Sequence, residues 1–208
     1  MTLLPDAVPL GEVRRALVIK LGHHGDVLLA SPVIAVLKKH APSIEIDALV
    51  YADTAAMLAL HPGLAALHVI DRGWKNAGSI ARLTAEFALF RGLAARRYDL
   101  LIHLSESWRG AWLARALGAR WAVAPARRTG GRRWRNSFTH LVPAPLAGGR
   151  HVVETHLDAL RRIGIQPAES ERQLVLEPGE EARRSMQTLL AAHGLQGQRF
   201  VHIHAMSR

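Results

Sequence analysis

Asp26 follows the apolar run Leu17-Val18-Ile19-Lys20-Leu21 and the turn Gly22-His23-His24-Gly25, and it precedes Val27-Leu28-Leu29. A carboxylate placed where a strand runs into a glycine-flanked loop and a helix opens can accept a proton from a substrate hydroxyl. Aspartate at that place also caps helices, and the spacing leaves both roles open. Gly22 and Gly25 allow a ligand close approach to the backbone. Gly-His-His-Gly is neither the dinucleotide fingerprint nor a phosphate-binding P-loop. His23 and His24 can meet a sugar hydroxyl or a phosphate, or can simply lie on the loop surface.

A second cluster is basic. Arg127, Arg128, Arg132, Arg133 and Arg135 are interleaved with Gly130, Gly131, Trp134 and Asn136. Guanidinium groups grip phosphate bidentately, and the glycines would let the loop wrap an anion; a solvated loop is the alternative. Trp134 either stacks on a sugar or base or anchors the loop to the core. Arg-rich segments also bind RNA, but no RNP, KH or helix-turn-helix signature accompanies this one.

Ser105-Glu106-Ser107-Trp108-Arg109 is the third candidate. In a parallel sheet it places Glu106 and Arg109 over the same cleft as Asp26, with a Ser105 or Ser107 helix cap as the simpler explanation. The missing G-x-S-x-G elbow argues against a serine hydrolase. The 12 histidines include no His-Glu-x-x-His, and His151/His156 and His202/His204 lack a clear third ligand, so no metal is expected.

The elements that must position these residues follow from hydrophobic period. Strands are expected at 15–20, 44–50, 66–70, 100–104 and 121–123, with helices at 26–40, 54–60, 80–96 and 108–117. In the first helix, either Pro32 makes a kink or Ser31 caps a fresh start. The 80–96 helix repeats Leu83, Phe87, Phe90 and Leu93 at three- and four-residue steps. Residues 125–150 read as a long loop, 152–163 as a helix, 173–176 as a short strand and 177–193 as a further helix. The alternation predicts an α/β protein with a Rossmann-like parallel sheet. A final strand at 200–204 has no later partner, so the chain reads as cut short. The expected organisation is an extension at 1–14, one domain at 15–167, and at 168–208 a linker with the start of a second domain.

Composition narrows the partners. The 208 residues contain no cysteine, which excludes disulfides, thiolate metal sites and cysteine nucleophiles. A net charge of +10 implies an anionic partner: nucleic acid, an anionic membrane face or a phosphorylated substrate. A solvated Arg-rich surface is the bland alternative. No apolar run reaches the roughly 18–20 residues that cross a bilayer, and the first residues lack the pattern of a signal peptide.

The stretch 18–32, with Leu21-Gly22-His23-His24-Gly25-Asp26-Val27-Leu28-Leu29-Ala30-Ser31-Pro32, resembles the N-terminal signature of glycosyltransferase family 9, in particular its lipopolysaccharide core heptosyltransferase III group. Further likenesses are Ile46-Asp47-Ala48-Leu49-Val50-Tyr51, Arg97-Tyr98-Asp99-Leu100-Leu101-Ile102-His103-Leu104 and Arg109-Gly110-Ala111-Trp112-Leu113-Ala114-Arg115. Trp134-Arg135-Asn136-Ser137-Phe138-Thr139-His140 and Leu157-Asp158-Ala159-Leu160-Arg161-Arg162-Ile163-Gly164 complete the set. The resemblance implies the N-terminal domain of a GT-B fold, in which two Rossmann-like domains face a cleft. It also implies inverting transfer of heptose from ADP-heptose to a phosphorylated, membrane-anchored lipopolysaccharide inner core, with no cofactor or metal.

By the same resemblance Asp26 is the general base, and Arg127, Arg128, Arg132, Arg133 and Arg135 meet the acceptor's phosphates; position in the loops and sheet adds His23, His24, Glu106 and Arg109 to the acceptor residues. Gly22, Gly25, Ser207 and Arg208 meet the donor. The family's donor turn matches His204-Ala205-Met206-Ser207-Arg208, with Met206 where a small or hydroxyl residue is usual. The donor-binding lysine that follows in the family has no counterpart here, so the resemblance implies an incomplete chain, inactive alone. The implied location is the cytoplasm, with peripheral contact at the inner membrane and no nucleic acid. The rival reading is a non-catalytic module that holds RNA or acidic membrane with its arginine loop.

Overall fold

The computed structural model describes residues 6–75, 79–127, 129–143 and 150–203. Six strands form one sheet: β1 (Arg15–Ile19), β2 (Glu45–Tyr51), β3 (Ala66–Ile70), β4 (Leu100–His103), β5 (Trp121–Pro125) and β6 (His140–Val142). All neighbours pair in parallel, in the order β3-β2-β1-β4-β5-β6. The strand order reverses between β1 and β4, and at such a switch point open α/β sheets bind ligands outside the carboxyl ends of the strands.

Helices cover both faces, which explains why β1 is apolar from Ala16 to Ile19. Ala16 and Val18 of β1 pack into one cluster with Val33, Ile34 and Leu37 of α2 (Ser31–His40) and Leu157 and Leu160 of α6 (Val152–Arg162). Leu17 and Ile19 point the other way, towards Leu93 of α3 (Ser79–Arg96), Ala111 of α4 (Trp108–Leu117) and Trp134 of α5 (Gly131–Arg135). Gly118, at φ +62, ends α4 in the left-handed conformation that glycine adopts without strain.

Several boundaries differ from the sequence reading. The expected helix 26–40 is two helices, α1 (His24–Leu28) and α2, because Pro32 falls in the first turn of a new helix, where its missing N–H costs nothing. Ser31 is not its cap; its Oγ accepts the Val175 N–H at 2.9 Å. Residues 173–176, expected as a strand, lie irregular against that helix. The expected helix 54–60 is a 3₁₀ segment, Ala52–Met57. The expected loop 125–150 contains α5 and β6, which its density of arginine and glycine concealed.

The compact unit Met1–Leu176 contains the whole sheet. The second unit, Glu177–Arg208, holds α7 (Gly179–Ala192), followed by irregular chain as far as residue 203. Residues 200–203, expected to begin a strand, have no ladder partner among the described residues, and His204 lies outside them.

At the edge opposite the carboxyl ends, Asp47 is fully buried and accepts from Arg96 Nε (2.7 Å), Arg96 Nη2 (3.0 Å) and the Tyr98 hydroxyl (2.7 Å). His68 Nε2 lies 3.3 Å away. Burial pushes this carboxyl up, but the hydrogen bonds from His68, Arg96 and Tyr98 outweigh it and hold the group far below the usual carboxylate range.

His103 is locked at the sheet's centre. It is fully buried, its Nε2–H donates to Ser107 O (3.1 Å), and its ring stacks on Phe138 at 6.0 Å. Burial pushes its pKa down to about 4, so the ring is neutral near pH 7. A Cβ on Gly110 would fall 2.2–2.5 Å from three ring atoms. Gly110→Ala is therefore expected to cost about 1–3 kcal/mol by overpacking. Urea denaturation reads this, and an unchanged midpoint would show that the ring has room to move.

Candidate active site at the carboxyl edge of the sheet

Asp26 lies in the first turn of α1, three residues beyond the N-cap His23, so it is not itself the cap. Its Oδ2 accepts the His23 backbone N–H at 3.1 Å. Gly22 makes this arrangement possible: a Cβ there would sit 2.7 Å from Asp26 Cβ and 3.0 Å from Oδ2. The Asp26 side chain is 42% exposed. A carboxylate has about four acceptor sites, and the backbone N–H occupies one of them.

The floor beneath Asp26 contains a lysine that the sequence reading passed over. Lys20 continues β1, is largely buried, and places Nζ 3.9 Å from Asp26 Oδ1. Nζ also donates to Leu104 O (3.2 Å) and lies 3.2 Å from His156 Nε2. Burial lowers the Lys20 pKa, opposed by the Asp26 carboxylate. His156 on α6 is pushed down to about 4, first by burial and then by the Lys20 charge. A neutral ring with Nδ1–H donated to Leu29 O (3.0 Å) leaves Nε2 free to accept from the ammonium. A polar residue ending a strand covered on both faces was the available signal for Lys20; nothing local in the sequence marked His156.

The β1 and β4 loops are tied together by Leu21 N–H donating to Ser105 Oγ at 3.3 Å. Ser107, not Ser105, caps α4 by accepting Gly110 N–H. Next to it, Arg127 donates to Glu106 O (3.2 Å) and lies 3.8 Å from its carboxylate, with the guanidinium beside Trp108 (5.6 Å) and Trp134 (5.7 Å). The Glu106 carboxylate is exposed. A cavity of about 350 Å³ runs from Lys20 and His156 past Ser105 and Glu106 to Ala126. On the other flank, Arg72 donates to Gly22 O (2.8 Å), stacks over Tyr51 at 4.0 Å and faces Asp53 at 3.3 Å, a second cation that the sequence reading missed.

Asp26, His23, His24, Glu106 and Arg127 therefore share the carboxyl edge, on loops from adjacent strands. Arg109 does not join them: its guanidinium is bidentate to Glu86 of α3 (2.5 and 3.1 Å), because the Ser107 cap aims this turn of α4 at α3. Trp134 is fully buried and donates Nε1–H to Pro125 O (3.0 Å), so it anchors the loop and is unavailable to stack on a ligand. Arg132, Arg133 and Arg135 project from α5 into solvent. Gly25 is exposed beside Asp26. Arg128, Ser207 and Arg208 lie outside the described residues.

A three-layer α/β domain with a carboxylate at its switch point and cations on both flanks presents a candidate ligand site at the carboxyl edge of its sheet. A scan against models of known protein families matches none of them. Lipopolysaccharide heptosyltransferase 3 of Escherichia coli is 36% identical over 188 residues, covering 89% of this chain and 52% of that protein. The strain K12 protein of the same name is 39% identical over 146 residues, 69% of this chain and 40% of its own length. The chain thus spans about half the length of the curated relatives it matches. Among solved structures, a glycosyl transferase family 9 protein from Veillonella parvula superposes with a TM-score of 0.72 at 24% identity, over 91% of this chain and 52% of that one. The E. coli heptosyltransferase WaaC with ADP-2-deoxy-2-fluoro heptose gives 0.62 at 22% identity, over 74% and 50%. The chain is similar to the E. coli heptosyltransferases over about half of their length, and its six-stranded parallel sheet has the Rossmann-like architecture of the GT-B glycosyltransferase structures on which it superposes.

Proposed function

We propose that this chain is the acceptor-side half of an enzyme that transfers heptose from ADP-heptose to the phosphorylated inner core of lipopolysaccharide with inversion. The observation that carries the reading is the Asp26 carboxylate, part exposed at the switch point and held by the His23 N–H above the Lys20 ammonium. Its support is the identity to the E. coli heptosyltransferases and the likeness to WaaC, whose structure holds a fluorinated ADP-heptose.

In the proposed step an acceptor hydroxyl oxygen bonds to the anomeric carbon of heptose while the bond from that carbon to the ADP oxygen breaks. The electron pair leaves with ADP, and the hydroxyl proton goes to Asp26. Direct displacement from the opposite face inverts the anomeric centre. Glu106 and Arg127 border the acceptor's approach, and the exposed arginines of α5 meet its phosphates.

The test joins the chain to the C-terminal half of E. coli heptosyltransferase 3, which it does not span, and requires a folded, ADP-binding product. Incubation with ADP-heptose and a lipopolysaccharide acceptor lacking its outermost core heptose is expected to add one heptose by mass. A folded, ADP-binding chimera that modifies no heptose-deficient acceptor refutes the assignment.

A further inference from the structure

Three- and four-residue apolar steps normally mark a buried helix seam, yet α3 leaves most of its seam in water. Leu93 is buried, but Ile80 is 82%, Leu83 69% and Phe87 66% exposed. Beside them on α4, Trp112 is 70% exposed. It lines a groove of about 750 Å³ shared with Leu83 and Phe90, and a second cleft of about 370 Å³ shared with Trp108 and Arg133. Trp112 lines both grooves, so Leu83, Phe90, Trp112 and Trp108 form one apolar surface across α3 and α4, with Arg133 of α5 at its margin.

The charge bordering this surface is mostly basic. Arg82, Arg109 and Glu86 line the first groove, and Arg115 and Arg133 the second. Arg109 and Glu86 pair with each other, which leaves Arg82, Arg115 and Arg133 as the cations open to an anion. Aliphatic and tryptophan side chains flanked by arginines match the boundary of an anionic bilayer: the apolar groups enter the headgroup and acyl region while the guanidiniums meet lipid phosphates. A cytosolic protein partner of the same chemistry would need its own acidic, apolar counter-surface; a bilayer supplies both at once. The direction of the helices adds to this. α3 and α4 each follow a parallel strand, so their first turns, carrying Ile80 and Trp108, start at the carboxyl edge that holds Asp26.

We infer that the α3–α4 face is a peripheral docking surface for anionic phospholipid bilayer, setting the carboxyl edge of the sheet beside the membrane. The inference rests on surface chemistry and not on the transferase reading. Vesicle binding needs neither sugar nucleotide nor acceptor, so either can fail while the other stands.

The test is co-sedimentation of the 208-residue chain with vesicles of phosphatidylcholine alone or with about one third phosphatidylglycerol. Binding to the anionic vesicles is expected to be at least about tenfold tighter than to neutral ones, since each arginine near the surface adds to the attraction. Leu83→Glu with Trp112→Glu is expected to weaken it at least about tenfold. Met186→Glu with Leu189→Glu, which adds equal charge at half-exposed apolar positions of α7, leaves it within about twofold of the parent. Arg82→Gln with Arg115→Gln gives an intermediate loss and diminished discrimination between the two vesicles. All the substituted side chains are exposed, so circular dichroism should match the parent. The proposal is overturned if the parent ignores anionic vesicles, or if both Glu pairs weaken binding equally. It is also overturned if the Leu83/Trp112 pair abolishes only self-association or RNA binding while vesicle binding persists.

Discussion

Asp26→Asn, made in the chimera with the C-terminal half of E. coli heptosyltransferase 3, is expected to lower kcat by roughly 10²–10⁴-fold and to leave acceptor affinity within about twofold. The amide keeps the shape of the side chain and its carbonyl still accepts the His23 N–H, so the turn at Gly22 and the course of α1 are retained. What it loses is the ability to take a proton as the acceptor oxygen bonds to the anomeric carbon. The loss should therefore appear in kcat and kcat/KM together, as for an interaction made only in the transition state. Steady-state rates with titrated acceptor, alongside direct acceptor binding, separate the two. A variant with near-parental turnover removes Asp26 from the chemistry and returns it to a purely local role at the start of α1.

The second large effect concerns folding. Asp47→Ala strips Arg96, Tyr98 and His68 of a shared, fully buried anion. Breaking a buried charge pair typically costs 3–5 kcal/mol. We expect about 3 here, because the Arg96 side chain is 30% exposed and can turn to water. For a chain of this size that lowers Tm by roughly 6–12 °C. The pH dependence has a definite sign. The folded pKa of Asp47 lies below its unfolded value near about 3.9. Its stabilisation is thus complete above that value and disappears as pH falls below it towards the depressed folded pKa. Parent and variant should therefore differ most at neutral pH and converge as acid is added. Parallel denaturation curves from pH 7 down to pH 3 would show that Asp47 is not the anchor of this edge.

Much of the frame is legible in the residues. Five strands and the long helices follow from period alone, because a strand covered on both faces must be apolar throughout and a covering helix must repeat its apolar positions. Where the reading failed, a tertiary partner had overridden local chemistry. The sixth strand, His140–Val142, is only three residues long and is defined by its ladder to β5. Helix α5 starts within Gly130-Gly131, a pair that reads as loop, and is held by the burial of Trp134, which sequence cannot reveal.

The candidate site divides in the same way. Asp26, Glu106 and Arg127 were legible because they sit just beyond strand ends, where topology alone determines their neighbourhood. Lys20 and His156 were not, since 136 positions separate them and only the packing of α6 against the sheet unites them. Arg109 was misplaced because the direction of its side chain depends on a cap and on Glu86 of another helix. The apolar repeat of α3 was read correctly as helical, but its period says nothing about whether a covering layer exists.

The seam between β1 and β4 bears on how this protein is born. The tie from Leu21 to Ser105 spans 84 positions, and β2, β3 and α3 lie in the chain between them. Contacts so remote in sequence carry a loop-closure cost that is met late. During translation, the aspartate and its loop leave the ribosome well before the strand that will stand beside them. Until that strand arrives, β1 has β2 as a neighbour on one side and an open edge on the other. Any nascent chain stalled in this interval would carry the proposed general base with no pocket around it.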